Sequence, residues 1–339
     1  MKRILTILLT LAVVTQPSSA GVKVCKQQNL SRWHITPANY SGITPMGDDR
    51  YAVVDDKSPT DGFHIFTIRL NPRTGKITHV SSTPLIGNPE GDPKADCEDI
   101  VYAHNNVFIA QEGTSTVPEY TMDGLPTGRC LQLPSCFNKA NIQNNGGFEP
   151  LAYGNNRFFL TTECPLRSDS ATHRIFVFDS ALKVCDSIIY RMDPPELKLK
   201  AKYYAFGIAA MTAMPDGQLL VMERELSIPP RYVGGKCRIK IYAINGQWSI
   251  VNGQWSMFNG QCSMLNAQCK KHLLASFTTH ITRLNYANYE GMCLGPTLED
   301  GRLTLLLIND SQGGVRNGPF RLKDYLKVII LDAENQFVE

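Results

Sequence analysis

Charge is sparse and nearly balanced: 34 Lys and Arg against 31 Asp and Glu leave +3 over 339 residues. That balance excludes the basic stripe of a nucleic-acid binder and an acidic disordered tail. Long apolar runs are missing as well. Beyond residue 20 no stretch approaches the roughly eighteen apolar residues that read as a membrane span. No Cys-x-x-Cys occurs, which removes the zinc ribbon and the dithiol redox motif. There is no Gly-x-Ser-x-Gly elbow, His-Glu-x-x-His, Walker loop, EF-hand loop or Arg-His-Gly segment. The seven histidines show no ligand spacing. Cys185 to Arg191 has the Cys-to-Arg interval of a cysteine phosphatase loop but none of its glycines, and it reads as a strand. Ser180-Ala181-Leu182-Lys183 matches Ser-x-x-Lys, a pattern too short to weigh.

What is present begins with an export signal. Lys2 and Arg3 precede the apolar run Ile4 to Val14, and Ser18-Ser19-Ala20 supplies small residues for cleavage. The expected mature chain is 21–339, a monomer in the periplasm or outside the cell. The ten cysteines then become disulfide candidates, with Cys130 and Cys136, which bracket a short loop, the first pair to test.

Self-similarity carries most of the information. Asp96-Cys97-Glu98-Asp99-Ile100, Gly147-Phe148-Glu149-Pro150-Leu151 and Asn288-Tyr289-Glu290-Gly291-Met292 align directly. Asn39-Tyr40-Ser41-Gly42-Ile43 repeats the last with serine for glutamate, and Phe206 to Met211 keeps the apolar pattern without the acid. Each is followed by a polar turn: Gly47-Asp48-Asp49, His104-Asn105-Asn106, Gly154-Asn155-Asn156, Asp216-Gly217 and Asp300-Gly301. Each turn leads into an apolar run that ends at or beside an acid: Tyr51–Asp55, Val107–Glu112, Phe158–Glu163, Leu219–Glu223 and Leu303–Asp310. Short strands joined by such turns predict an all-β fold. A unit of roughly fifty to sixty residues is the size of a propeller blade. The reading is a β-propeller of about five to six blades, each of three to four antiparallel strands. A sixth, degenerate blade would use the segment near Val22–Trp33.

One stretch breaks the pattern. Residues 245–269 are a seven-residue tandem built on Asn-Gly-Gln-Trp-Ser. Glycine and tryptophan oppose a coiled coil. The expectation is a duplicated hairpin inserted at one blade's rim.

In a propeller, residues at one fixed place in each repeat form a ring around the channel mouth. Glu98, Glu149 and Glu290 share the first place; Asp55, Glu112, Glu163, Glu223 and Asp310 are assigned to the second. Carboxylates gathered so closely raise one another's pKa unless a cation or arginine intervenes. Glu98, Glu149, Glu290 and Asp310 are the expected ligands of Ca²⁺. Arginine remains for an anion, with Arg224 the first choice and Arg167, Arg174, Arg231 and Arg316 in rim loops. Metal, acids and arginine together fit phosphate-ester hydrolysis, with Glu149, Glu163, Glu223, Arg224 and Glu290 as the catalytic set. The alternative at this stage is a non-catalytic propeller that binds a carbohydrate, peptide or protein partner.

Taken in order, five pieces resemble the phytase-like family described as having esterase-like activity of phytase. They are Asn39–Ile43, Asp96–Ile100, Asn145–Leu151, Leu219–Arg224 and Asn288–Pro296 leading into Leu306–Asp310. The resemblance implies a propeller secreted by bacteria, and its name points to hydrolysis of a small anionic phosphate ester. Carboxylic-ester hydrolysis is suggested by that name alone. Two departures stand out: Asp99 follows Glu98 where the family carries glycine, and the tandem is foreign to the pattern.

Overall fold

The computed structural model describes residues 21–332 apart from 92–93, 145, 198–200, 231, 245–256, 259–260, 263–268 and 318–319. The export signal and most of the tandem therefore lie outside the described residues. The strands form five antiparallel four-stranded blades, the architecture of a five-bladed propeller. Blade 1 runs outward through Tyr40–Gly47, Arg50–Asp55, Gly62–Leu70 and Ile77–Ser82. Blade 2 uses Cys97–Ala103, Asn106–Gln111, Pro118–Tyr120 and Pro126–Cys130. Blade 3 uses Leu151–Gly154, Arg157–Leu160, His173–Phe178 and Val184–Tyr190. Blade 4 uses Tyr203–Ala213, Leu219–Ile228, Lys236–Ile244 and Lys271–His280. Blade 5 uses Asn288–Leu294, Leu303–Asp310 and Tyr325–Leu331, and its outer strand is Val22–Val24 from the other end of the chain.

That last pairing corrects the expectation of a sixth blade. The N-terminal segment closes the fifth, so that first and last parts of the fold share one ladder. The tandem departs from blade 4 between its third and outer strands. Within it Met257–Phe258 pairs with Gln261–Cys262, as a hairpin insertion requires. Cys130 is a free thiol, so the bond expected between it and Cys136 is not formed.

The turns form for the reason read in the sequence. A two-residue hairpin loop needs positive φ at both central positions, which Asn and Asp tolerate. Asp48 and Asp49, His104 and Asn105, and Asn155 and Asn156 all take φ between 51° and 64°. Side chains alternate across each strand, and both faces are covered by neighbouring blades. Tyr51 and Val53 pack toward blade 5, whereas Ala52 and Val54 pack toward blade 2. The core is accordingly five wedges, one in each gap between consecutive blades.

The innermost strands touch one another in a closed ring. Such contact leaves no room for a side chain at the nearest approach. A Cβ on Gly42 would lie 2.4 Å from Asp99 Oδ1 and 2.5 Å from Asp99 Cα. Asp99 itself is buried and reaches onward: its Oδ2 accepts from Leu151 N of blade 3 at 2.8 Å. The acid that departs from the family pattern thus ties blade 2 to blade 3. Gly42→Ala is expected to lower stability by about 3 kcal/mol, because the clash is with backbone and cannot be relieved by a rotamer change. Urea unfolding of the variant beside the parent measures it.

Candidate functional site at the channel mouth

The innermost strands of blades 1, 2, 4 and 5 carry a β-bulge at the cassette. Cys97 pairs with Gln111 and Asp99 with Ala110, leaving Glu98 as the extra residue. Tyr289 pairs with Asn309 and Gly291 with Ile308, leaving Glu290. Ile208 pairs with Glu223 and Ala210 with Met222, leaving Ala209. In blade 1 the register shifts between Tyr40 and Ile43, around Ser41. Bulges re-aim a side chain, and here they define the first ring: Ser41, Glu98, Ala209 and Glu290, with Glu149 just ahead of the innermost strand of blade 3.

A second ring follows from one repeated hydrogen bond. Asp56 N donates to Asn39 O at 3.0 Å, Glu112 N to Asp96 O at 2.9 Å, and Glu163 N to Gly147 O at 2.8 Å. Each acceptor lies two residues before its cassette residue. The corresponding partners in blades 4 and 5 are Arg224, opposite Gly207, and Asp310, opposite Asn288. The second ring is therefore Asp56, Glu112, Glu163, Arg224 and Asp310. Two members of the expected set were one residue out of step, and in a strand one step reverses the side chain's face. Asp55 caps a turn, its Oδ1 accepting from Asn39 N at 3.3 Å and Lys57 N at 3.1 Å. Glu223 points between blades 3 and 4, where Tyr190 OH donates to it at 2.6 Å and Lys271 Nζ at 2.7 Å. Glu223 is removed from the catalytic set.

Arg224 organises what remains. Its Nη2 lies 2.5 Å from Glu163 Oε1 and 3.3 Å from Glu149 Oε2, while Nη1 donates to Glu290. Asn288 Nδ2 donates to Glu290 Oε1 at 2.7 Å and steadies that carboxylate. Alanine at position 209 stands where blades 2, 3 and 5 carry an acid, and glycine at 207 keeps the facing strand bare. A Cβ on Gly207 would come within 2.4 Å of Glu163 O. Arg224 and Glu163 are 4% and 3% exposed at the side chain, and Glu149 and Glu290 15% and 16%. Three of the predicted residues thus meet as expected around the fourth. The guanidinium faces carboxylates and is closed off from solvent, so its expected role of binding a phosphate is not what this geometry provides.

Acids exceed bases throughout the mouth. Burial, followed by neighbouring carboxylates, holds the Glu98 carboxyl well above its ordinary range, and does the same for Glu149 against the pull of Arg224. Glu290 is raised by burial, with Arg224 opposing. Burial and the Glu290 charge raise Asp310 to about 9. Among the described residues, Asp56, Asp96 and Glu98 bring carboxylate oxygens within 4.8 Å of one another. Of the four expected metal ligands only Glu98 belongs to that group; Glu149 and Glu290 face Arg224, and Asp310 Oδ1 accepts from Gln312 N. Asp96 and Asp56 were missed because their own segments carry a neighbouring acid that fits the strand pattern equally well. Lys57 Nζ bridges them at 2.6 Å and 3.0 Å. Ser41 Oγ donates to Glu98 Oε2 at 3.0 Å, and Asp56 Oδ1 is buried without a hydrogen-bond partner. A hard divalent cation takes such oxygen donors, so these residues fit one once Lys57 Nζ leaves Asp56 and Asp96.

The remaining arginines of the expected set stand apart. Arg167 lies in a short 3-10 turn, and Arg174 is held by Asp169 at 2.8 Å. Arg231 lies outside the described residues. Arg316 belongs to a short two-stranded ribbon with Phe320–Arg321. No helix among the described residues is long and apolar enough to cross a membrane.

The fold and this mouth define a five-bladed propeller with carboxylate rings closed around a buried arginine. The chain belongs to the phytase-like family, described as esterase-like activity of phytase, whose model matches residues 36–312. No curated protein matches it. Among solved structures it is similar to a thermostable family-43 glycoside hydrolase, at 10% identity and TM-score 0.46, covering 87% of this chain and 89% of that one. An endo-arabinase from Bacteroides thetaiotaomicron gives 8% identity and TM-score 0.45, with 88% and 94% covered. Streptogramin B lyase gives 13% identity and TM-score 0.36, with 94% and 100% covered. Likeness this distant carries no argument about chemistry.

Proposed function

We propose that the chain is an exported, monomeric hydrolase of phosphate esters that works with a bound Ca²⁺. The observation that carries this reading is the excess of carboxylates at the mouth, including three with converging oxygens of which Glu98 is buried, in a chain of the phytase-like family. Asp56, Asp96 and Glu98 would hold the cation. When bound, it supplies polarisation of a phosphoryl oxygen and a water of lowered pKa. Glu149 and Glu290 sit at the partly open side of the cluster. Their raised pKa values let one of them stay protonated and give that proton to the leaving oxygen. Arg224 fixes the positions of both through Nη1 and Nη2.

Inositol phosphates are the substrates to try first. Purified protein is expected to release phosphate from phytate in Ca²⁺ and to stop in a chelator. Removing one ligand costs at least as much as removing an outer-shell partner, about 10–100-fold in metal affinity. Glu98→Gln should therefore need at least tenfold more Ca²⁺ for half-maximal rate. Turnover that ignores both the chelator and Glu98→Gln would defeat the proposal. A second reading, a non-catalytic propeller for a carbohydrate, peptide or protein, is favoured by the enclosure of Arg224. Tight ligand binding without product or divalent metal would establish it.

A further inference from the structure

A basic surface lies on blade 4, next to the ring but facing the gap toward blade 3. Arg238 and Lys240 come from its third strand and Lys271 from its outer strand. Tyr242 stands among them, and Lys271 Nζ sits over its ring at 4.1 Å. These cations are not open to solvent. The connector from blade 3 to blade 4 crosses them and lays down two acids, Asp193 and Glu196. Asp193 takes Lys271 Nζ at 2.8 Å on Oδ1 and Lys240 Nζ at 3.2 Å on Oδ2, with Tyr242 OH donating to Oδ2 as well. Glu196 takes Lys240 Nζ at 2.5 Å and Arg238 Nη2 at 3.0 Å. Glu225 fastens the connector by accepting from Glu196 N at 2.7 Å and Leu197 N at 2.8 Å.

The layering is asymmetric. Lys240, Lys271 and Arg238 are 12%, 16% and 23% exposed, whereas Asp193 and Glu196 are 38% and 42% exposed. The cations form a floor and the acids a cover. Beneath the cover is a small cavity reached by Glu223, Phe206, Arg224 and Arg238. Two of the residues that line it, Arg224 and Arg238, each keep a buried Nε without a hydrogen-bond partner. Arg224 is also the centre of the carboxylate cluster, so the cavity backs directly onto the ring.

We infer that the floor of Arg238, Lys240, Lys271 and Tyr242 is a binding subsite for a phosphate group, and that Asp193 and Glu196 occupy it in the free protein. A carboxylate held by two ammonium groups and a phenol presents the same charge and donor geometry that a phosphate oxygen pair would meet. Among the described residues the two cations at the ring are already paired with acids, Arg224 with three glutamates and Lys57 with Asp56 and Asp96. The subsite supplies the missing positive charge on the adjoining face. It rests on the phosphate-ester reading for its substrate, and its geometry stands on the connector contacts.

The test is calorimetric titration of inorganic phosphate into the full chain and its variants. Asp193→Asn with Glu196→Gln neutralises the two covering acids and keeps their shape, leaving Glu223 on Lys271 at 2.7 Å from below. The double variant is expected to bind phosphate at least tenfold more tightly than the parent, since a competitor lowers apparent affinity by the fraction of sites it fills. Adding Lys240→Gln and Lys271→Gln to it should return binding to parental weakness or below. Unchanged affinity in the double variant, or phosphate retained after both lysines are replaced, overturns the subsite. If the double variant fails to fold, Glu196→Gln alone keeps the connector's Asp193 contacts, and an increase of about threefold or more is required of it. Phosphate release from phytate is followed in parallel. Turnover with unaltered phosphate binding defeats the subsite and leaves the hydrolase reading, whereas tight phosphate binding without turnover does the reverse.

Discussion

Replacing Arg224 with methionine is expected to destabilise the protein by about 3–5 kcal/mol at neutral pH, the range for removing one partner of a buried ion cluster. The guanidinium is the counter-charge for Glu149, Glu163 and Glu290, which come from blades 3 and 5. Without it three carboxylates are left out of water beside one another. Either water enters the mouth or Glu149 and Glu290, whose carboxyls burial already raises, take up protons, and both disfavour the native arrangement at pH 7. The loss should shrink at pH 5, where protonation relieves the repulsion. Arg224→Lys keeps a charge but presents a compact ammonium in place of a planar fork, so it reaches fewer of the three acids and recovers part of the loss. Urea unfolding at the two pH values measures these differences. A change below about 1 kcal/mol in Arg224→Met would mean that the cluster does not hold the blades together.

The second large effect is a fall in stability as pH rises. Asp310 titrates at about 9 and Asp324 at about 7 in the folded protein, raised first by burial and then by acids that include Glu290 for the former and Asp55 for the latter. In the unfolded chain both ionise near 4. Below about pH 4 both states hold the protons and no penalty exists. From there up to the folded values the native state binds more protons than the unfolded one, so unfolding becomes easier as pH increases. Each group contributes a slope of about 1.4 kcal/mol per pH unit while the difference lasts. The Asp324 contribution levels off above pH 7 and that of Asp310 above pH 9. Asp310→Asn removes the titrating proton but keeps an oxygen for Gln312 N. The variant should match the parent near pH 4 and exceed it increasingly toward pH 9. Unfolding midpoints across that range decide it, and parallel curves for the two proteins would refute the assignment.

The acids around Arg224, and Asp310, belong to cassettes and runs that recur along the chain, whereas Asp324 belongs to none of them. Glu98, Glu149 and Glu290 announced themselves by repeating inside similar cassettes, and the bulge at the innermost strand explains why Glu98 and Glu290 face the channel. The second ring was read with less accuracy. Asp55 and Asp56 are both acids, and Glu223 precedes Arg224 in a run that suits a strand either way. Alternation within one strand cannot choose between them, because both of its faces are buried by neighbouring blades. The bulge on the partner strand shifts the count by one, and that shift is set by pairing between strands.

The sequence by itself determined the all-β repeat, the positions of the turns and the acids of the first ring, since these depend on local backbone preference and on spacing that recurs. The tertiary structure decided the number of blades, the closure by Val22–Val24, the partners of Arg224 and the cover over Lys240 and Lys271. Those depend on which strand edge finds which, and on the burial of charges drawn from distant segments. No local pattern encodes a contact whose energy arises only when the ring is shut.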